Sequence, residues 1–180
     1  ALESLTTYYW RVDETIATGG VKTGPVWRFT TCLVVDSFEG YTDTEGSRIY
    51  ETWIDGWTNG TGSVVGYAQA PFAEQKIVHS GLQSLPLDYN NVAAPFCSEA
   101  ERQFAPTQDW TAGGADTLVL YVQGRKDNAP VQLYVAIEDS AKHVGVVVYP
   151  DPAVATATRW TRWKIPLNSF AGVNMTRVKK

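Results

Sequence analysis

Apolar and polar residues alternate in short runs along almost the whole chain. No window sustains the three-to-four-residue apolar period of a long helix. Thr6–Val12 and Val26–Thr31 are β-branched and aromatic with a period of two, and a Gly- and Thr-rich connection joins them, which predicts a hairpin. Further strands are predicted over Cys32–Asp36, Gly62–Tyr67, Gln75–Val78, Gln83–Tyr89, Ser98–Phe104, Thr117–Gln123, Val131–Glu138, Val144–Tyr149 and Thr161–Pro166. The run Leu118-Val119-Leu120-Tyr121-Val122 reads as a strand buried on both faces, whereas Gln132–Glu138 alternates as one wetter face requires. Thr42–Thr52 and Leu167–Val173 have room for a helical turn or two. Many short strands with turn residues between them predict an all-β fold, an antiparallel β-sandwich or jelly roll.

A chain of 180 residues with 44% hydrophobic content can bury the core of one well-formed domain. Its net charge of −4, with basic residues scattered except at Arg177-Val178-Lys179-Lys180, argues against nucleic acid or an anionic membrane as the main partner. No apolar run reaches membrane-spanning length, so membrane insertion is not expected. The chain opens at Ala1 with no secretory signal, as a mature or excised segment would. Cys32 and Cys97 permit one disulfide and do not require it.

The segment from Tyr50 to Ser63 carries the densest chemistry. Tyr50, Trp53 and Trp57 sit among Glu51, Asp55 and Asn59, with Gly56, Gly60 and Gly62 as punctuation. A flat ring covers the apolar face of a sugar while short carboxylates and amides bond its hydroxyls. A loop this rich in Gly and Asn belongs at the surface. The bland alternative is that both tryptophans flank a turn in the core, and the sequence leaves open which of the two would stack on a ligand. Tyr67, Tyr89 and Trp110 are the further aromatic candidates for a glycan site.

Two resemblances cover different parts of the chain. Leu5-Thr6-Thr7-Tyr8-Tyr9-Trp10-Arg11-Val12-Asp13-Glu14 with Gly24-Pro25-Val26-Trp27-Arg28-Phe29-Thr30-Thr31 resembles the last two strands of a fibronectin type III domain, so residues 1–31 are expected to form its terminal hairpin. Val35-Asp36-Ser37-Phe38-Glu39, Gly81–Tyr89, Asp109-Trp110-Thr111 and Trp160–Phe170 together resemble the galactose-binding-like β-sandwich domains of large secreted bacterial carbohydrate-active proteins. That resemblance makes residues 32–180 such a sandwich and implies a secreted or cell-surface bacterial location. Members of that family usually close with one or two further strands bearing an acidic pair that helps hold a structural Ca2+. The chain stops at Lys180 before any such strand, so an open sheet edge is expected. An open edge invites pairing with the hairpin or with a second copy in a homodimer.

The resemblance places a metal near Glu39, and Asp36, Glu39 and Asp43 or Glu45 make an acidic cluster that would supply oxygens to calcium. The alternative is a solvated acidic turn. For glycoside hydrolysis, Glu51 and Asp55, Glu99 and Glu101, or Glu138 and Asp139 would have to face one another across a bond, which spacing alone does not establish. His79 and His143 are isolated, without a zinc-binding pattern. Cys97 with His79 matches a nucleophile and base only by residue type. The preferred expectation is a non-catalytic carbohydrate-binding module for a polysaccharide or oligosaccharide. Its rivals are a small hydrolase using Glu51, Asp55 and His79, and a protein-binding adhesion domain.

Overall fold

The computed structural model describes residues 2–17 and 19–180. These residues are 12% helical and 28% strand, and their ladders are antiparallel, so the fold is all-β. The chain begins as a ribbon of β1 (Thr7–Trp10), β2 (Glu14–Thr15), β3 (Val21–Lys22) and β4 (Trp27–Thr30). β1 pairs with β4 and β2 with β3. Cross-strand partners share a face, so Tyr8 stacks on Phe29 at 5.7 Å and Trp10 on Trp27 at 4.7 Å.

After the ribbon come α1 (Ile49–Thr52), β5 (Trp53–Ile54), α2 (Gly56–Asn59), β6 (Ser63–Val65), β7 (Leu87–Tyr89) and β8 (Glu101–Arg102). β5 pairs with β8, and β6 with β7. Ile49, Val65 and Ala73 form a small core here, with Phe38, Tyr50, Trp53 and Phe72 against it. The larger core belongs to β9 (Thr117–Val122), β10 (Tyr134–Glu138), β11 (Val144–Val148) and β12 (Thr161–Pro166), paired β9 with β12 and β10 with β11. Leu118, Ile137, Trp163, Ile165, Phe170 and Val178 are buried in it. Trp163 meets Tyr149 edge-on at 5.1 Å, and truncating a buried ring of this kind costs about 3–5 kcal/mol.

Three predicted strands differ in the structure. Cys32–Asp36 stays irregular, because Asp36 Oδ1 accepts from Phe38 N at 2.7 Å and turns the chain. Gln75–Val78 is likewise turned, with Glu74 Oε1 accepting from Ile77 N at 3.1 Å. β9 is not buried on both faces: Leu118 points inward while Val119 and Tyr121 are exposed, and His79 stacks on Tyr121 at 3.6 Å.

The last residues are themselves paired rather than free. Val178 exchanges backbone hydrogen bonds with Gln108 on one side and bridges to Asp139 on the other. Glu138 N donates to Lys180 O at 2.8 Å, and Phe104 N to Lys179 O at 2.9 Å. Lys180 Nζ then pairs with Glu101 at 3.0 Å.

Asp139 anchors this closure. It is 1% exposed and accepts from Asn174 N at 3.0 Å, Ala141 N at 2.8 Å and His143 N at 3.1 Å, with His143 Nδ1 also at 3.1 Å. The Asn174 amide above all, helped by those of His143, holds its carboxyl well below the ordinary value of 3.8. A carboxyl whose folded value is depressed stabilises the fold above its unfolded value and loses that contribution as pH falls through the folded one. Wild-type stability should therefore decline as the pH drops below about 4. Asp139→Asn should be less stable at neutral pH and show a shallower acid limb in denaturant melts at stepped pH. An unchanged acid limb would remove Asp139 from the account.

Candidate functional site

The loop from Tyr50 to Ser63 is held from both ends by carboxylates. Glu51 Oε2 accepts from Arg48 N at 2.8 Å and caps α1. Tyr50 packs edge-on against Phe72 at 5.3 Å. Trp53 turns inward, its Nε1 donating to Asp36 Oδ2 at 2.8 Å and its ring 6.0 Å from Phe38. Asp55, 7% exposed, accepts from Trp57 N at 3.1 Å through Oδ1 and from Val65 N at 2.8 Å through Oδ2. One side chain thus caps α2 and ties it to β6. Gly60, at φ +74°, ends the turn in the left-handed region. Trp57 is left on the outside of this turn, 87% exposed.

Trp57 borders a cleft of about 370 Å³ that runs between Gly56–Val64 and Asn90–Ala94. The two walls are stitched by Asn90 N donating to Gly62 O and Gly62 N donating to Cys97 O, both at 2.8 Å. Gly62 is required for the approach, since a Cβ there would lie 1.8 Å from Asn90 O. Most polar side chains beneath the indole are spent on the scaffold. Asn59 Nδ2 donates to Glu99 O at 2.9 Å while its Oδ1 accepts from Thr61 N at 3.0 Å. Ser63 Oγ donates to Glu99 O at 2.6 Å and accepts from Gly56 N at 2.9 Å. Asn90 Oδ1 accepts from Val92 N at 3.2 Å, and its side-chain N–H groups have no partner among the described residues.

Of the residues singled out from the sequence, Trp57 faces solvent beside the cleft, Asp55 and Asn59 hold its turn, and Glu51 caps α1. Tyr89 lies opposite Ser63 and its hydroxyl reaches Ala129 O at 3.3 Å. Trp110 is buried in the larger core, with Nε1 donating to Gln108 Oε1 at 3.0 Å. Tyr67 borders a second cleft of about 320 Å³ with Gln69, Pro71, Glu74 and Gln75. Burial first, and its hydrogen bond to Glu74 second, push the Tyr67 hydroxyl up to about 12. Asn90, Ala93 and Ala94 were not singled out in the sequence. The signal there was a turn-rich run, Asn90-Asn91 followed by Pro95, that marks a surface loop.

Of the hydrolase candidates, Glu51, Asp55 and His79 are not brought to one place, whereas Glu101 and Glu138 meet at Lys180. Glu51 and Asp55 serve backbone amides, and His79 lies between Tyr121 and Trp160, with centroids at 3.6 and 5.7 Å. Glu99 accepts from the Tyr134 hydroxyl, and Glu101 and Glu138 share Lys180. Cys32 and Cys97 are both free thiols.

Asp36, Glu39 and Asp43 each accept hydrogen bonds from the chain itself. Asp36 Oδ2 already accepts from Tyr41 Oη at 2.6 Å, from Trp53 Nε1 and from the Arg102 guanidinium. Glu39 accepts from Leu82 N at 3.0 Å and Gln83 N at 3.2 Å, and Asp43 Oδ1 from Phe72 N at 2.9 Å. Among the described residues no three His, Cys, Asp or Glu side chains converge as a metal would require. Against known protein families, curated proteins and solved structures the chain finds no match. No helix among the described residues is long and apolar enough to cross a membrane.

Chelator and added Ca2+ should both leave the melting temperature unchanged; a rise with Ca2+ would restore a metal site. Asp36→Ala should instead destabilise by about 3 kcal/mol, because it strands the Arg102 charge in a half-buried position. Denaturant melts measure the loss.

Proposed function

We propose that the chain is a non-catalytic carbohydrate-binding module whose primary contact is the exposed Trp57 indole above the Gly56–Asn90 cleft. The observation that carries this reading is that Trp57 is 87% exposed on a turn held rigid by Asp55. An exposed indole loses stability by staying in water, and here the supporting hydrogen bonds keep it there. The turn that carries it is fixed before a ligand arrives, so little backbone ordering opposes stacking on a sugar face. The Asn90 amide supplies an adjacent donor. We read the surrounding architecture as a galactose-binding-like β-sandwich of a secreted or cell-surface bacterial protein, preceded by a fibronectin type III-like hairpin. The engagement of Glu51 and Asp55 with backbone amides weighs against the hydrolase alternative.

A single aromatic stack contributes about 0.5–1.5 kcal/mol, so Trp57→Ala should weaken binding about two- to tenfold. Affinity electrophoresis through gels containing xylan, mixed-linkage β-glucan or galactomannan measures this directly. Trp10→Ala, in the ribbon, should leave retardation intact. Loss of retardation in Trp10→Ala with Trp57→Ala unaffected would move the site to the ribbon. No retardation of the wild type by any of these polymers would count against a glycan site.

A second reading is favoured by the ribbon itself. Tyr9, Trp10, Val12, Val21, Val26, Trp27 and Phe29 are all exposed on a two-stranded element, which by itself is marginally stable. A protein partner or a second copy of the chain would cover them. Sedimentation equilibrium should give a dimer mass that falls to the monomer in Trp10→Ser/Trp27→Ser; a wild-type monomer at high concentration would rule out the second copy.

A further inference from the structure

We infer that the outer face of β9 and β12 is a second binding surface, for a carbohydrate that carries carboxylate or sulfate groups. It lies on other strands than the Trp57 cleft and does not depend on the reading of that cleft.

Alternation and register define the face. In β12 Trp163 and Ile165 are buried, while Arg162 and Lys164 are exposed. In β9 Leu118 is buried, while Val119 and Tyr121 are exposed. The ladder sets Arg162 opposite Tyr121 and Lys164 opposite Val119, so both cations and the phenol ring share one side of the sheet. Two residues along one strand place the two cations' α-carbons about 7 Å apart. Among the described residues the ion pairs engage Arg11, Arg48, Arg102, His143 and Lys180, and neither Arg162 nor Lys164 takes part in one.

Aromatic rings lie beside these cations. His79 stacks on Tyr121 at 3.6 Å with 22° between the planes, and it meets Trp160 edge-on at 5.7 Å. Trp160 immediately precedes β12, so it extends the same face beyond Arg162. His79 comes from a distant loop that is fixed on both sides of it. Glu74 Oε1 accepts from Ile77 N at 3.1 Å, and Ser84 Oγ donates to Ile77 O at 2.7 Å. On the other side Glu39 accepts from Leu82 N at 3.0 Å and from Gln83 N at 3.2 Å. His79 and Tyr121 nevertheless stay exposed.

Each group has a counterpart on an acidic sugar. A ring covers the apolar face of the pyranose. The guanidinium forks two N–H donors onto a carboxylate or sulfate, and the ammonium acts as a point charge on the next one. A neutral glycan would leave both cations unanswered. Nucleic acid presents a dense line of phosphates, and a chain of net charge −4 with two cations on this face is poorly matched to it.

Titration calorimetry with oligogalacturonate and with heparin oligosaccharides, at stepped NaCl, tests the surface. The wild type should bind at least one of them, less tightly as salt rises; the one preferred tells carboxylate from sulfate. Arg162→Ala/Lys164→Ala should weaken binding about two- to tenfold and flatten the salt dependence. Its melting temperature should match the wild type, because both side chains are exposed. His79→Ala should weaken binding while keeping the salt dependence, and Trp57→Ala should change neither. Absence of binding to both acidic oligosaccharides, or a double variant that binds as the wild type does, overturns the inference. Tighter binding of a single-stranded oligonucleotide of equal charge overturns it too. None of these results bears on retention by neutral glycans at Trp57.

Discussion

A carboxylate only 10% exposed has to be answered by donors, and Asp36 is answered from three directions. Tyr41, Trp53 and Arg102 all reach its Oδ2, while Oδ1 takes the Phe38 amide. Those partners come from the turn after residue 36, from β5 and from β8. Breaking such a set leaves a guanidinium and an indole N–H without acceptors, and that penalty exceeds what the intact set contributes. The cluster thereby fixes where β5 begins. It also holds Phe38 at φ +63°, a conformation that a bulky residue adopts only when its surroundings compel it.

From that fixed point the fate of the two tryptophans follows. Trp53 has its indole N–H committed to Asp36 and its ring to the small core. Two residues on, Asp55 is buried, and its oxygens take the amides of Trp57 and Val65. A helical turn starting at that cap carries the Trp57 side chain to the outer side of the loop. Inward and outward tryptophans are consequences of two aspartates spaced nineteen residues apart in sequence, not of any difference in the tryptophans' own preferences.

β9, β10, β11 and β12 were legible as strands, but the unbroken apolar run of β9 hid its exposed face, which only Gln132–Glu138 among these segments announced by alternation. Cys32–Asp36 and Gln75–Val78 have strand-like composition but are turned by carboxylate-to-amide bonds from Asp36 and Glu74, which no periodicity reports. The closing role of Arg177–Lys180 was hidden for a similar reason. Its backbone pairing to Gln108 and Glu138 is long-range, and its charged composition resembles a free tail. In the candidate site, residue type singled out the loop but not each residue's duty. Asp55 and Asn59 have the chemistry to bond a sugar, yet a short polar side chain in a Gly-rich turn serves its own backbone first.

That division of labour decides how a ligand would be held. With Glu51, Asp55, Asn59 and Ser63 facing the scaffold, the Trp57 cleft offers mainly a ring and one amide. A ring contact of about 1 kcal/mol is small beside an association cost of at least about 4 kcal/mol. A single sugar at Trp57 would scarcely stay bound. On the glycan reading proposed above, the sparse chemistry of the Trp57 cleft therefore requires a ligand that makes contacts beyond that one ring.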